Sequence, residues 1–212
     1  MILQCDFDGT VIQNNLSVLL REHFAGGDWQ RIESDFLRGK LTVEQSNRLQ
    51  FTLVKEPKER LQDFVLRHVK LRPGFMELVK YCQQNAISPV IVSSGLDFYI
   101  EPVLAHIGLA DLEFYCGRTA FTDNGIEVTY VDPGGNTIDR GFKNKYLSWL
   151  RQRAGNIVYV GDGLSDFEAA RNADFVFATG NLVRLLRMEP VAWSSFTDFY
   201  DLLHKLRRPD LL

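Results

Sequence analysis

Gln4–Val11 reads QCDFDGTV, two aspartates one residue apart followed by a glycine and a threonine, directly after the apolar opening Met1-Ile2-Leu3. MILQC has the length and apolar character of a short strand, Asp6 ends it, and Asp8-Gly9 is a turn signal. Two carboxylates on the lip of a first strand face burial and mutual repulsion together. Like charges about 4 Å apart repel by roughly 4 kcal/mol at an effective dielectric of 20. A chain that keeps them there needs a cation beside them and a use for them.

Working outward, the pattern changes from about Asn15 to Val69, where apolar residues recur at helical spacing in LSVLLREHF, DWQRIESDFL and ERLQDFVLRHV. Thr42 and Gln45 have the spacing of a capping box. Arg72-Pro73-Gly74 opens a helix through GFMELVKYCQQ that stops near Asn85. ISPVIVSS is a β-branched strand breaking off at Ser93-Ser94-Gly95, and a helix bent at Pro102 follows to Gly108. LEFYC is a third strand, and FTDNGIEVTY sets Asn124-Gly125 between two alternating runs, a hairpin signal. KNKYLSWLRQR is an amphipathic helix, and NIVYVGDG is a strand ending in Asp162-Gly163. Ser165 and Glu168 are expected to cap the next helix, DFVFA to form a last short strand, and TDFYDLLHKL a closing helix.

Strands alternating with helices predict an α/β fold, a Rossmann-like parallel sheet with right-handed crossovers, carrying a helical insert and a small β-hairpin. Ligands of such sheets bind beyond the carboxyl ends of the strands. The ends at Asp6, Ser93 and Asp162 should therefore converge. With Asp8 and Asp166 they form an all-oxygen set without cysteine or histidine, which suits the hard cation Mg²⁺. Ser93-Ser94-Gly95 supplies hydroxyls and expected helix-start amides for a phosphate, and Lys143, at a helix start, a fixed positive charge. Taken singly, these residues read as turn formers, a helix cap and an exposed lysine. Together, a metal site, a phosphate cradle and a free carboxylate imply phosphoryl transfer.

Composition excludes several other classes. At 212 residues, with 45% hydrophobic and 24% charged residues, the chain can bury roughly 70% of its unfolded surface and is neither disordered nor fibrous. A net charge of −3 and a pI near 5.8 argue against nucleic acid as a partner. Cys5, Cys82 and Cys116 lack metal or redox spacing and read as core residues of a protein in a reducing compartment. Without an apolar run of membrane length or a secretory leader pattern, the expectation is a cytoplasmic protein with no membrane partner. Phe98, Tyr99 and Trp149 are expected in the core, with Phe98 and Tyr99 bordering the substrate pocket. Nothing in the pattern speaks to oligomeric state.

The motif set resembles the haloacid dehalogenase superfamily of phosphatases, and within it the phosphoserine phosphatase subgroup. The family's four motifs occur in order as DFDGT from Asp6, VSSG with Ser93, FKNKYL with Lys143, and VGDGLSD with Asp162 and Asp166. The resemblance implies that Asp6 is a nucleophile forming an aspartyl-phosphate, and that Asp8 is the acid that protonates the leaving group and then the base that activates water. It implies Mg²⁺ on the Asp6 and Asp162 carboxylates and the Asp8 main-chain carbonyl, with Asp166 as a ligand or a partner behind them. Ser93, Ser94, Gly95 and Lys143 would hold the phosphoryl oxygens, with Lys145 as the alternative lysine. Residues 15–70 would be a helical cap domain over a core of 1–14 and 71–212, and the substrate a small phosphorylated metabolite.

Two positions depart from the subgroup. Its cap glutamate, which meets the substrate amino group, falls on Asn15, and its arginine, which meets the substrate carboxylate, falls on Gln50. A zwitterion such as phosphoserine loses both charged readers. The runs SSGLDFYIEP and YCGRTAFTDNGIEV are similar to the phosphatase of methionine salvage that acts on an enolised methylthio-ketopentenyl phosphate, although that enzyme's cysteine-rich segment before Lys143 is absent. The alternatives are phosphoserine phosphatase proper, a phosphosugar mutase using the same paired aspartates, and a phospho-aspartate signalling module. A base at Asp8 would shorten the life of the signal in the last of these. A dehalogenase of the same fold needs neither Asp8 nor a metal.

Overall fold

The computed structural model describes residues 1–207, so the last five residues of the expected core segment lie outside the described range. The described strands are β1 (Ile2–Cys5), β2 (Ser88–Leu96), β3 (Phe114–Thr122), β4 (Gly125–Val131), β5 (Thr137–Ile138), β6 (Ile157–Gly161), β7 (Phe175–Ala178) and β8 (Trp193–Ser195). They form one sheet in the order β5-β4-β3-β2-β1-β6-β7-β8. From β3 to β8 across the sheet the strands run parallel, and β4 and β5 are antiparallel additions at the β3 edge. Every residue of β1, β6 and β7 is buried, the expected condition for central strands covered on both faces.

Helices α1 (Leu16–Phe24), α2 (Trp29–Leu37), α3 (Val43–Phe51) and α4 (Lys58–His68) follow β1, and α5 (Phe75–Gln84) leads into β2. The remaining helices are α6 (Asp97–His106), α7 (Phe142–Ala154), α8 (Phe167–Arg171), α9 (Leu182–Leu185) and α10 (Phe199–Leu206). The starts of the insert helices are set locally. The Asn15 side chain accepts from Val18 N at 2.9 Å, that of Asp28 from Arg31 N at 3.1 Å, and Thr42 and Gln45 cap one another's backbone reciprocally.

The chain enters and leaves α1–α4 at one place. Gln13 N donates to Lys70 O at 2.8 Å and Arg72 N to Val11 O at 2.9 Å, so the two connections run antiparallel beside Asp8. α3 then docks on the β3–β4 hairpin, where Gly125, at φ +120°, lies against the Thr52 carbonyl and a Cβ would collide with it.

Several local expectations are corrected. Thr122 pairs with Gly125, so the hairpin turn is Asp123-Asn124 and the glycine belongs to β4. β3 runs well past LEFYC, because its second half pairs with β4 after its first half has paired with β2. Ser93-Ser94-Gly95 is not a helix start: it lies inside β2, whose register against β3 shifts between Val92 and Leu96, and α6 begins only at Asp97. Ser165 and Glu168 do not cap α8. Residues Leu164–Asp166 form a 3₁₀ turn first, and Asp166 takes the amides of Asp162 and Gly163 at 2.9 and 2.8 Å. Pro102 lies inside α6 rather than at its end. The three cysteines are free, two buried and Cys116 half-buried. Among the described residues no helix is long and apolar enough to cross a membrane.

Candidate active site

β2, β1 and β6 are adjacent in the sheet, so their carboxyl ends bring Ser93–Gly95, Asp6 and Asp162 together, and the first turn of α7 adds Lys143. These residues and Asp8 line one cavity of about 220 Å³, whose other wall includes Asn15, Val18, Arg21, Phe36 and Asn47 from the helical insert. That is below the ~300 Å³ at which drug-sized pockets begin and suits a small metabolite.

Lys143 is 3% exposed, and its Nζ donates to Asp6 Oδ1 and Asp166 Oδ1, both at 2.6 Å, and to Ser165 Oγ at 3.2 Å. Burial alone would lower its pKa, but the Asp166 and Asp6 carboxylates outweigh burial and hold it above the ordinary lysine value, so it stays charged. Lys145, by contrast, has a side chain 46% exposed and lies 3.9 Å from Asp132. Asp166 is fully buried and saturated: Oδ1 also accepts from Tyr159 Oη at 2.7 Å, while Oδ2 takes the two amides named above. Ser165, freed from capping, turns its hydroxyl to Lys143.

Carboxylate oxygens of Asp6, Asp162 and Asp166 come within 4.8 Å of one another. Burial, then the Asp166 charge, pushes the Asp6 carboxyl well above the carboxylate range, with Lys143 opposing. The same two causes lift Asp162 to about 7. One ammonium therefore does not neutralise the cluster. The donor set is entirely oxygen and carries excess negative charge, which fits a hard divalent cation.

Asp8 is held from two sides. Oδ1 accepts from Leu16 N at 2.7 Å and Oδ2 from Tyr99 Oη at 2.6 Å. Burial raises its pKa, and the Tyr99 and Leu16 hydrogen bonds pull it part of the way back. A carboxyl poised in this way can deliver a proton and recover it.

Ser93–Gly95 of β2, the expected phosphate cradle, forms the next wall. Ser93 Oγ accepts from Gly95 N at 3.0 Å, and Ser94 O accepts from Asn47 Nδ2 at 2.8 Å and from Tyr130 Oη at 2.5 Å. Ser94 Oγ is buried without a partner among the described residues, a donor facing an acceptor-shaped gap in its hydrogen bonding. A Cβ at Gly95 would collide with the Tyr99 hydroxyl and stand 2.9 Å from Asp8 Oδ2, so only glycine fits beside Tyr99 and Asp8.

The two insert positions singled out in the sequence separate in space. Asn15 lines the cavity while capping α1. Gln50 is buried behind the wall, with Nε2 donating to Glu33 Oε2 at 2.9 Å. Glu33 and Arg21, which sequence reasoning passed over, do line the cavity. The available signal was Arg21 itself, an arginine within the otherwise mostly apolar buried stripe of α1, beside Leu16, Ser17 and Leu20. Tyr99 was placed in the core, where it is, but its bond to Asp8 was not foreseen. Arg72 was also missed: it donates to Gly9 O at 2.6 Å, Thr10 O at 2.7 Å and Thr197 O at 2.9 Å, clamping the turn after Asp8.

A family model of haloacid dehalogenase-like hydrolases matches residues 3–171. A 2-hydroxy-3-keto-5-methylthiopentenyl-1-phosphate phosphatase from Geobacillus thermodenitrificans is 30% identical over 100% of this chain and 98% of its own. A protein of the same name from Brevibacillus brevis is 28% identical over 98% and 96%. A solved phosphoserine phosphatase bearing an analogue of its phospho-aspartyl intermediate superposes with a TM-score of 0.71 at 20% identity, over 96% of this chain and 97% of that one, a likeness of fold. The chain belongs to the haloacid dehalogenase-like hydrolase family.

Proposed function

We propose that the protein is a Mg²⁺-dependent phosphomonoesterase of a reducing, cytoplasmic compartment that works through an aspartyl-phosphate on Asp6. Residues 15–70 would act as a cap domain over its site. The observation that carries this reading is the buried contact of Asp6 with Lys143 at 2.6 Å, on the floor of a cavity that also holds Asp8, Ser94 and Asp162. An Asp6 carboxylate oxygen attacks phosphorus while the ester P–O bond breaks. Asp8 gives its proton to the departing oxygen. Water then attacks phosphorus, the Asp6–phosphorus link breaks, and the water's proton goes to Asp8. Lys143 and the Ser93–Gly95 cradle hold the equatorial oxygens, whose charge must be met throughout.

The Asp6 and Asp162 carboxylates and the Asp8 main-chain carbonyl would hold Mg²⁺. Asp166 would stand behind them, since both of its oxygens already orient Lys143, Tyr159 and the amides of Asp162 and Gly163. The bound ion would offset the carboxylate repulsion and withdraw charge from the phosphoryl group.

For the substrate we take 2-hydroxy-3-keto-5-methylthiopentenyl 1-phosphate. Relatives matched over nearly the whole chain carry that activity in their names. In support, Val18, Phe36, Leu37 and Val43 give the cavity an apolar side on which a methylthio tail can lie. Phosphoserine is the second reading, favoured by the cation and anion at Arg21 and Glu33. Against it, these two lie 3.4 Å apart and Glu33 also takes Gln50, so each already has an answering group.

The test is hydrolysis of p-nitrophenyl phosphate with Mg²⁺, with chelator, and by Asp6→Asn, followed by kcat/KM for the methylthio enol phosphate and for phosphoserine. Turnover that persists with chelator, or in Asp6→Asn, refutes the mechanism. A higher kcat/KM for phosphoserine refutes the substrate.

A further inference from the structure

The cavity has a second polar patch, away from the phosphate floor and on the insert side. Arg21 is 4% exposed, with Nη1 donating to Ser17 Oγ at 2.7 Å and Nη2 to Glu33 Oε2 at 3.4 Å. The guanidinium lies 6.0 Å from the Trp29 ring centroid and 5.8 Å from that of Phe51. Its Nε is buried without a partner among the described residues, and so is the Oγ of Ser46, which is 2% exposed. Both residues line the cavity. Buried polar atoms are rarely left unpaired in a folded protein, and because both side chains stand on the cavity wall, a small rotation of either would turn its free atom to an entering group.

We propose that Arg21 and Ser46 form a specificity subsite that hydrogen-bonds uncharged oxygens on the carbons next to the phosphorylated one, a ketone or enol oxygen; this rests on the phosphomonoester reading above. The charge balance selects neutral oxygen. Glu33 already answers the Arg21 charge, so a substrate carboxylate drawn to the guanidinium would sit beside the Glu33 carboxylate, and like charges at that range repel. Arginine has donors only, which matches a carbonyl acceptor. Serine can donate or accept, which matches an enol hydroxyl. Gln50, holding Glu33 from behind, fixes the anion that makes the patch neutral.

The decisive measurement compares dihydroxyacetone phosphate with n-propyl phosphate, which share a three-carbon chain and differ in its oxygens. The readout is the ratio of their kcat/KM values in wild type, Arg21→Gln and Ser46→Ala. Wild type should prefer the oxygenated ester by about tenfold or more, since an analogue lacking the oxygens leaves buried donors unpaired. Arg21→Gln should cut that ratio roughly tenfold, through KM of the ketone substrate, and Ser46→Ala should cut it by a smaller factor. Because the readout is a ratio, it survives a general loss of rate, and Ser46→Ala covers the case in which Arg21→Gln does not fold. A ratio near one in wild type, or one unchanged in both variants, overturns the subsite while the phosphatase reading stands. Preference for phosphoserine that disappears in Arg21→Gln overturns it in favour of a zwitterion site. Wild type that hydrolyses p-nitrophenyl phosphate but neither ester overturns the subsite alone, and wild type that hydrolyses none of the three refutes the parent reading, with which the subsite falls.

Discussion

Glu44 offers a test of how the helical insert is joined to the Lys143 turn of the proposed phosphate site. α7 opens after Gly141, which has no side chain with which to cap it, so the first amide of the helix, Phe142 N, must find an acceptor elsewhere. It donates to Glu44 Oε1 at 2.8 Å, a buried carboxylate reaching across from α3. Lys143 is the next residue. In Glu44→Ala the Phe142 amide is left buried without a partner, which costs about 1–3 kcal/mol. The favourable placement of a carboxylate at a helix N-terminus, worth about 0.3–1 kcal/mol, is lost with it. Taking about 2 kcal/mol in all, and about 2–4 °C per kcal/mol for a domain of this size, the melting temperature should fall by about 4–8 °C. Glu44→Gln keeps an acceptor and loses only the charge, so it should fall by less than half as much. Thermal unfolding followed by circular dichroism measures both, with the exposed Glu22→Gln in α1, away from any helix N-terminus, as the control that should move by under a degree. KM for p-nitrophenyl phosphate should rise in Glu44→Ala as the Lys143 turn loosens. A Glu44→Ala protein that melts with the control, or that Glu44→Gln matches in full, would refute the cross-helix cap.

Three further outcomes follow from other contacts. Tyr99 Oη pulls the Asp8 pKa down, so in Tyr99→Phe it should rise, and the alkaline limb of the kcat profile, which under the proposed mechanism would report loss of the Asp8 proton, should move to higher pH; an unmoved limb rules out Tyr99 as the group that tunes Asp8. In metal-free protein Asp162 binds a proton up to about pH 7 when folded but only to the ordinary carboxylate range when unfolded. The native state therefore holds more protons between about pH 4 and 7, and stability should fall as pH rises through that window. Melting scans across it, with and without Mg²⁺, should show the gain from Mg²⁺ increasing with pH, and a gain that is flat or largest at pH 4 contradicts the assignment. Arg72→Lys replaces a planar fork on three carbonyls with a single ammonium, so kcat and melting temperature should both drop, and a variant indistinguishable from wild type would mean the Gly9–Thr10 turn holds itself.

What could be read from the sequence was what is local. Asp6, Asp8 and Asp162 were legible because a strand end followed by Asp-Gly is a contiguous pattern, and Thr42 with Gln45 because a capping box spans one helical turn. β5 and β8, two and three residues long, carry too little periodicity to show. The Ser165–Glu168 box does not form because a 3₁₀ turn, with Asp166 on the amides of Asp162 and Gly163, comes before α8, and spacing alone does not show it. Gln50, set at the cavity by the family resemblance, stands behind its wall and holds Glu33. Arg21 meets Glu33 twelve positions away on another helix, Tyr99 meets Asp8 across ninety-one, and Arg72 meets Thr197 across one hundred and twenty-five. No short window contains such pairs.

The insert divides its work between two helices of the same length. α3 is tied to the rest of the fold by Glu44 to Phe142, Asn47 to Ser94 and Tyr130, and Arg48 to the carbonyls of Val128 and Ile138, with its N-cap Thr42 reaching the carbonyl of Asp139 at the surface. Two of those ties end on the elements that would grip phosphate, the Ser94 strand and the Lys143 helix. α2 differs, because among the described residues it has none that is buried, and its Phe36 and Leu37 line the cavity while Leu37 stays 64% exposed. A segment with few buried contacts opens at lower cost than one stitched by buried hydrogen bonds. Entry of a substrate would then displace the Phe36-Leu37 end of α2, while Glu33 stays held by Arg21 and Gln50 and α3 stays seated, so the proposed phosphate grip remains assembled as the wall beside the substrate tail gives way. The two halves of the substrate would meet surfaces of different stiffness. A rigid floor suits a phosphoryl group whose transition state needs fixed charges, and a compliant wall suits an apolar tail that needs only to be covered.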